Sequence, residues 1–252
     1  MAEGRKKSSW VFPSAGPGTF SGFFVAWVFV GGIIGLALVL MAIGKGPTSL
    51  RIVAYDVSIE GKPPAEGQVD KLVAAVRQTN PMVLAVQGSS GELTKALALK
   101  LEIKDENAAS EGSSAILSKY AIEKAEGGRL GLIQFGKYGR FGVVNLDLSE
   151  ADNGRELREA VDLARREFGE TPHAIFSLVN GAAPAPPSGY VDVPVGMPGE
   201  GKVIIHWHVF IPEAIEDNLK ECYVPADNEK IKDFSDRLPM VARFVFQKKD
   251  FE

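Results

Sequence analysis

From Ser8 to Gly44 the chain carries no charged residue, and the stretch from Phe20 to Ile43 is dominated by Phe, Val, Ile, Leu, Ala and Gly. A helix of that length, at about 1.5 Å per residue, reaches about 36 Å and spans a hydrocarbon core of about 30 Å with some tilt. A buried core helix is usually shorter and amphipathic, whereas both faces here are apolar for more than five turns. A cleaved signal peptide normally has an apolar region of about 7–15 residues followed by a small-residue site. The length favours a retained anchor, with Met41 to Lys45 leaving cleavage as the competing reading. The expected organisation is an N-terminal interfacial segment at 1–18, a single transmembrane helix at 19–44 and a water-soluble domain at 45–252.

Arg5, Lys6 and Lys7 precede the run and Lys45, Arg51 and Lys62 follow it, a weak positive-inside bias that places the N-terminus in the cytoplasm. The large domain is then expected on the outer side of the membrane, which in a bacterium is the periplasm. Gly31 and Gly35 form a Gly-x-x-x-Gly pair, which reads equally as a helix-contact face or as ordinary membrane-helix glycine. The lipid bilayer and other membrane-protein subunits are the expected partners. Net charge is −4 with signs mixed throughout, so no basic face recommends nucleic acid. Cys222 is the lone cysteine, which excludes an internal disulfide and a cysteine metal cluster.

Beyond the run, Leu50 to Val57 reads as a buried strand. A helix follows on Val69, Leu72, Val73 and Val76, ended by Asn80 and Pro81, and then a strand from Met82 to Gln87. Strand, helix, strand predicts a parallel βαβ unit. A helix near Glu92 to Leu101 comes next, then strands at Ser114 to Ser118, Leu130 to Phe135 and Gly139 to Leu148. The clearest helix is Asn153 to Phe168, with Leu157, Val161, Ala164 and Phe168 on one face and Gly169 as its stop. Strands are expected at Ala174 to Val179, Val203 to Ile211 and Met240 to Gln247. The Pro- and Gly-rich stretch Ala182 to Gly201 reads as an irregular loop, and Ala183 to Pro187 within it as a plain connector. The charge-dense runs Glu102 to Glu106 and Glu216 to Lys220 read as solvated surface. Many strands and few helices predict an α/β (α+β) domain of two packed sheets with helices outside.

Four of these segments, in order, resemble the endonuclease/exonuclease/phosphatase family, whose fold is DNase I-like. LRIVAYDV from Leu50 is similar to its first strand, and NPMVLAVQG from Asn80 to its "PDvlaLQE" strand. GSSAILSKYAI from Gly112 resembles its "G-x-AILSRyPI" segment, and SDRLPMVARF from Ser235 its terminal "SDHLPVvaeF". The resemblance covers about Leu50 to Phe246 and implies a two-sheet β-sandwich flanked by helices. It also implies a chemistry: acidic and amide side chains at strand ends hold Mg²⁺, and histidine–aspartate partners activate water for phosphoester cleavage.

Carried onto this sequence, that machinery is largely missing. The strand-end Asn of the family falls on Asp56, its metal-binding Glu on Gly88 and its "tHL" histidine on Asp147. The "GDFN" motif falls on Ser177 to Asn180, so Leu178 takes the place of the catalytic Asp while Asn180 survives. The "IDHI" Asp falls on Trp207, or on His206 one register away. In the last motif Asp236 is kept and the catalytic His becomes Arg237. The remnant positions are therefore Asp56, Asp147, Asn180 and Asp236, and no residue is assigned as catalytic.

His206 and His208 share a strand face and form a half-site for zinc, with Cys222 and His173 as nominal completions. Lacking a clear third ligand, the pair is read as groove-lining strand residues. Asp56 and Asp236, with the two histidines, are the only candidate metal ligands. Asp236 beside Arg237 is read as a turn cap in preference to a phosphate-binding remnant. The expectation is a membrane-anchored, non-catalytic domain acting as a binding or structural subunit of a membrane assembly, with no cofactor. The alternative is a Mg²⁺-dependent phosphoesterase or nuclease with a rearranged site. A ligand-binding sensor is a weaker third reading.

Overall fold

The computed structural model describes residues 48–58, 66–136, 139–148, 153–180, 183–195, 205–225 and 238–251. The apolar run, Gly31, Gly35, Asp236 and Arg237 lie outside the described residues, and of Asn180 and His206 only the backbone is described. Among the described residues, no helix is long and apolar enough to cross a membrane.

β1 (Thr48–Asp56), α1 (Glu66–Thr79) and β2 (Val83–Gln87) form the expected βαβ unit, with β1 and β2 parallel and Ile52 opposite Val83. α2 (Gly91–Lys100) starts at Ser90, whose side-chain oxygen accepts from Leu93 N–H, a standard way to satisfy one free amide of a first turn. β3 (Ala108–Glu111), β4 (Ser114–Ser118), β11 (Leu219–Tyr223) and β12 (Met240–Phe246) complete a first sheet, in the order β11-β12-β1-β2-β4-β3. The second sheet contains β5 (Ala121–Glu126), β6 (Leu130–Phe135), β7 (Gly139–Leu148), β8 (His173–Asn180), β9 (Tyr190–Val195) and β10 (Ile205–Pro212). Its order is β5-β6-β7-β8-β10-β9. β7 and β8 are parallel, joined through α3 (Asn153–Phe168) in a second βαβ unit.

The inner faces of the two sheets meet in one core. Phe141 packs on Phe244 and Phe246, with ring centroids 4.9 and 5.7 Å apart, and Phe135 and Phe251 extend the aromatic layer. Val69, Leu72, Val73 and Val76 of α1 join the cluster of the first sheet. Leu157, Val161, Ala164 and Phe168 of α3 pack instead on Val144, Ile175, Val179 and Phe210 of the second. Two sheets inside and helices outside therefore follow the sequence expectation.

Four strands depart from it. β3, β5, β9 and β11 were not expected, and all four are sheet-edge strands. β9 lies in the stretch read as an irregular loop. Its alternation is hidden by Pro194, which an edge strand tolerates because its outer N–H groups are unpaired. β5 is almost wholly exposed, so the buried pattern that marks inner strands is absent. β11 takes in the end of the Glu216 to Lys220 run, whose charges at Glu216, Asp217 and Lys220 are exposed, as is usual on an edge that must not recruit another chain.

Candidate functional site

At the C-terminal ends of β1 and β2, the inter-sheet core changes from apolar to polar. Asp56 and Gln87 are register partners and both are buried. Gln87 Nε2 donates to Asn145 Oδ1 at 3.0 Å and to the Leu146 carbonyl at 2.9 Å, linking the two sheets. Asn145 Nδ2 in turn reaches the carbonyls of Val86 (2.8 Å) and Ala115 (3.3 Å). Because Gln87 Nε2 serves two acceptors, its amide orientation is fixed, and Oε1 is left buried without a donor among the described residues. Sequence reasoning passed over Asn145. The available signal was a lone amide inside the apolar run from Phe141 to Leu148.

Asp56 is 3% exposed, and its Oδ1 accepts from Ser58 N at 2.8 Å, so the carboxylate caps its own turn. Gly88 has φ +67°, and a Cβ placed there would lie 2.6 Å from Ser58 Cβ and 2.7 Å from Asp56 Oδ1. Position 88 thus lacks a side chain and has no room for one. Gly88→Glu is expected to cost about 2–4 kcal/mol, from left-handed strain plus overpacking, and to create no Mg²⁺ affinity. Urea unfolding and calorimetric Mg²⁺ titration of the variant check both parts.

Across β7, β8 and β10 one register row carries Asp147, Leu178 and Trp207. Asp147 is exposed. Leu178 and Trp207 are fully buried in the inter-sheet core, and Trp207 Nε1 donates to the Leu238 carbonyl at 3.0 Å. At β10, Trp207 sits opposite Leu178 while His206 sits opposite Val179. Leu178 and Trp207 form a packed cross-strand pair.

Among the described side chains, the histidines do not assemble. His208 lies opposite Ser177, stacks on Phe210 with centroids 6.0 Å apart, and places Nδ1 2.8 and 3.0 Å from the Asp192 carboxylate oxygens. Phe210 belongs to the cluster under α3, so His208 is on the sheet face opposite Trp207. His173 Nδ1 donates to the Thr171 carbonyl (2.8 Å), which leaves Nε2 to accept from Tyr190 Oη (2.5 Å) in the neutral tautomer. Cys222 Sγ is 3.7 Å from Met240 Sδ, and burial pushes its thiol up to about 12, an unreactive state. Among the described residues, no three His, Cys, Asp or Glu are grouped to hold a metal.

Burial holds the His173 imidazole below its usual range, assisted by the Arg165 charge. A histidine depressed in the folded state is protonated first in the unfolded chain, so stability is full above the unfolded value of about 6.5 and falls as pH drops from there toward the folded value. His173→Gln is expected to flatten that acid-side loss relative to wild type, read from urea midpoints at a series of pH values.

No protein-family model matches the chain, and no curated protein matches it. Solved structures do match, and with them the fold class is defined: the domain has the endonuclease/exonuclease/phosphatase, or DNase I-like, fold. An endonuclease/exonuclease/phosphatase protein from Bacteroides vulgatus superposes with a TM-score of 0.62 at 13% identity, over 80% of this chain and 100% of that one. A family protein from Bacteroides thetaiotaomicron gives 0.53 at 13%, over 80% and 99%. The endonuclease domain of TRAS1, a telomere-specific non-LTR retrotransposon, gives 0.54 at 11%, over 80% and 100%.

The described residues do not fit the Mg²⁺ that the family resemblance implies. A magnesium ion needs near-octahedral oxygen ligands, usually with one or two carboxylates and several waters. Gly88, Leu178 and Trp207 offer none, Asp56 Oδ1 already accepts from Ser58 N, Asp147 is an exposed carboxylate that joins no group of three such ligands among the described residues, and the orphaned Gln87 Oε1 is a single neutral acceptor.

Proposed function

We propose that this protein is a membrane-tethered, non-catalytic domain of DNase I-like fold that serves as a binding or structural subunit of a membrane assembly. The observation that carries this reading is the buried, cross-strand Leu178–Trp207 pair at the positions onto which the family resemblance carries aspartates. General base catalysis needs a titratable group within hydrogen-bond reach of water, and an indole sealed to the Leu238 carbonyl is not one. Gly88 supports the same conclusion at the metal position, and His208, facing the other side of the sheet, is not a substitute base.

The tether is inferred from the sequence. An apolar run long enough to span, leading within a few residues into β1, commits the chain to the bilayer, with the domain outside and the N-terminus inside. With chemistry removed, presentation of a folded surface at the membrane is the remaining use. The test is isolation of the full chain from its native membrane in mild detergent. A discrete complex larger than the protomer, resistant to carbonate extraction, is expected. A carbonate-soluble protein, or a monodisperse monomer, contradicts the reading.

A further inference from the structure

A groove of about 520 Å³ lies between α3 and the β5–β6 turn, on the outer face of the second sheet. That size falls in the range of small-molecule sites. Its floor is apolar, from Val144, Leu146 and Leu163. One wall is the turn at Glu126 to Arg129, and this wall is rigidly held. Gly128 approaches β4 so closely that a Cβ there would lie 1.8 Å from the Ser114 carbonyl oxygen, and Asn145 N donates to the Arg129 carbonyl at 2.8 Å. The other wall is α3, where Glu156 lines the groove with its Oε2 buried and, among the described residues, without a donor.

A buried carboxylate oxygen with no donor is costly, and an ammonium supplies what it lacks. The arginines around the groove do not make the opposite case. Arg155 is 3.7 Å from Glu159, and Arg166 is 2.8 Å from Glu167 while also facing Glu126; the exposed Arg129 lines the groove with Glu111, Glu126 and Glu156. We propose that this groove binds a small aliphatic amine, its ammonium received by Glu156 with Glu126 at the rim and its stem lying on the apolar floor. The site is separate from the inter-sheet rim and independent of the reading given above for that rim.

The test is calorimetric titration of the full chain in mild detergent with n-pentylamine, with n-pentanoate as a ligand of equal stem and opposite charge. Saturable binding of the amine alone is expected, weakened about tenfold or more by Glu156→Gln, the loss of one charge-assisted hydrogen bond. Glu126→Lys, at an exposed position, is expected to weaken it as well and decides the matter should Glu156→Gln fail to fold. Absence of saturable amine binding, equal binding of pentanoate, or unchanged affinity in a folded Glu156→Gln variant overturns the proposal and leaves the groove as solvated surface.

Discussion

Trp207→Ala is expected to lower the unfolding free energy by about 3–5 kcal/mol, the usual cost of deleting a fully buried large aromatic side chain. Trp207 is the largest fully buried side chain in the domain, flanked on its sheet by Leu178 and Val195. The substitution opens a cavity between the sheets and also strips the Leu238 carbonyl of its donor. Trp207→Phe separates the two contributions, since it keeps most of the apolar volume and loses the N–H. Its cost should be clearly smaller, with a share from the lost hydrogen bond of about 1 kcal/mol. Urea unfolding in mild detergent, followed by far-ultraviolet circular dichroism, measures both. A near-neutral Trp207→Ala would mean that the indole does not seal the row that the fold's hydrolases use.

Asn145→Ala is expected to be of similar size, about 3–5 kcal/mol. The side chain accepts from Gln87 and donates to carbonyls of Val86 and Ala115, on two strands of the opposite sheet. Each buried partner left unpaired costs about 1–3 kcal/mol, and linked buried hydrogen bonds fail together. Because Gln87 retains the Leu146 carbonyl, a double-mutant cycle with Gln87→Met should show coupling, the pair costing less than the sum of its parts. Strict additivity would contradict the inter-sheet link.

The inner strands and the three helices were legible because burial imposes periodicity. Asn153–Phe168 was placed at both ends by its amphipathic face and Gly169, and β4, β6 and β7 by apolar density between turns. Edge strands escaped, since an exposed strand such as β5 is under no pressure to alternate. At the candidate site, Gly88, Leu178 and Trp207 were legible one position at a time as departures from the resembled motifs. What filled the vacated space was not. That Ser58 and Asp56 close over Gly88, and that Trp207 packs beside Leu178, depends on contacts between segments far apart in the chain. The pairing of Trp207 with Leu178 and the sheet face of His208 needed the β8–β10 register. The groove beside α3 joins residues of β7, α3 and a turn, a combination that no local pattern announces.

On the proposed reading, a domain of DNase I-like fold with Leu178 and Trp207 packed between its sheets has its remaining specificity on surfaces. The membrane anchor expected from the sequence then gains weight as a functional element, since it sets where those surfaces are displayed. The central claim is the absence of hydrolysis, and the direct measurement is steady-state turnover of bis(p-nitrophenyl) phosphate and p-nitrophenyl phosphate by the purified full chain with Mg²⁺ or Mn²⁺. The account predicts rates equal to those of a buffer blank containing the metal and detergent, unchanged in Asp56→Ala and Asp236→Ala. Metal-dependent turnover above that blank, abolished by either substitution, would contradict it.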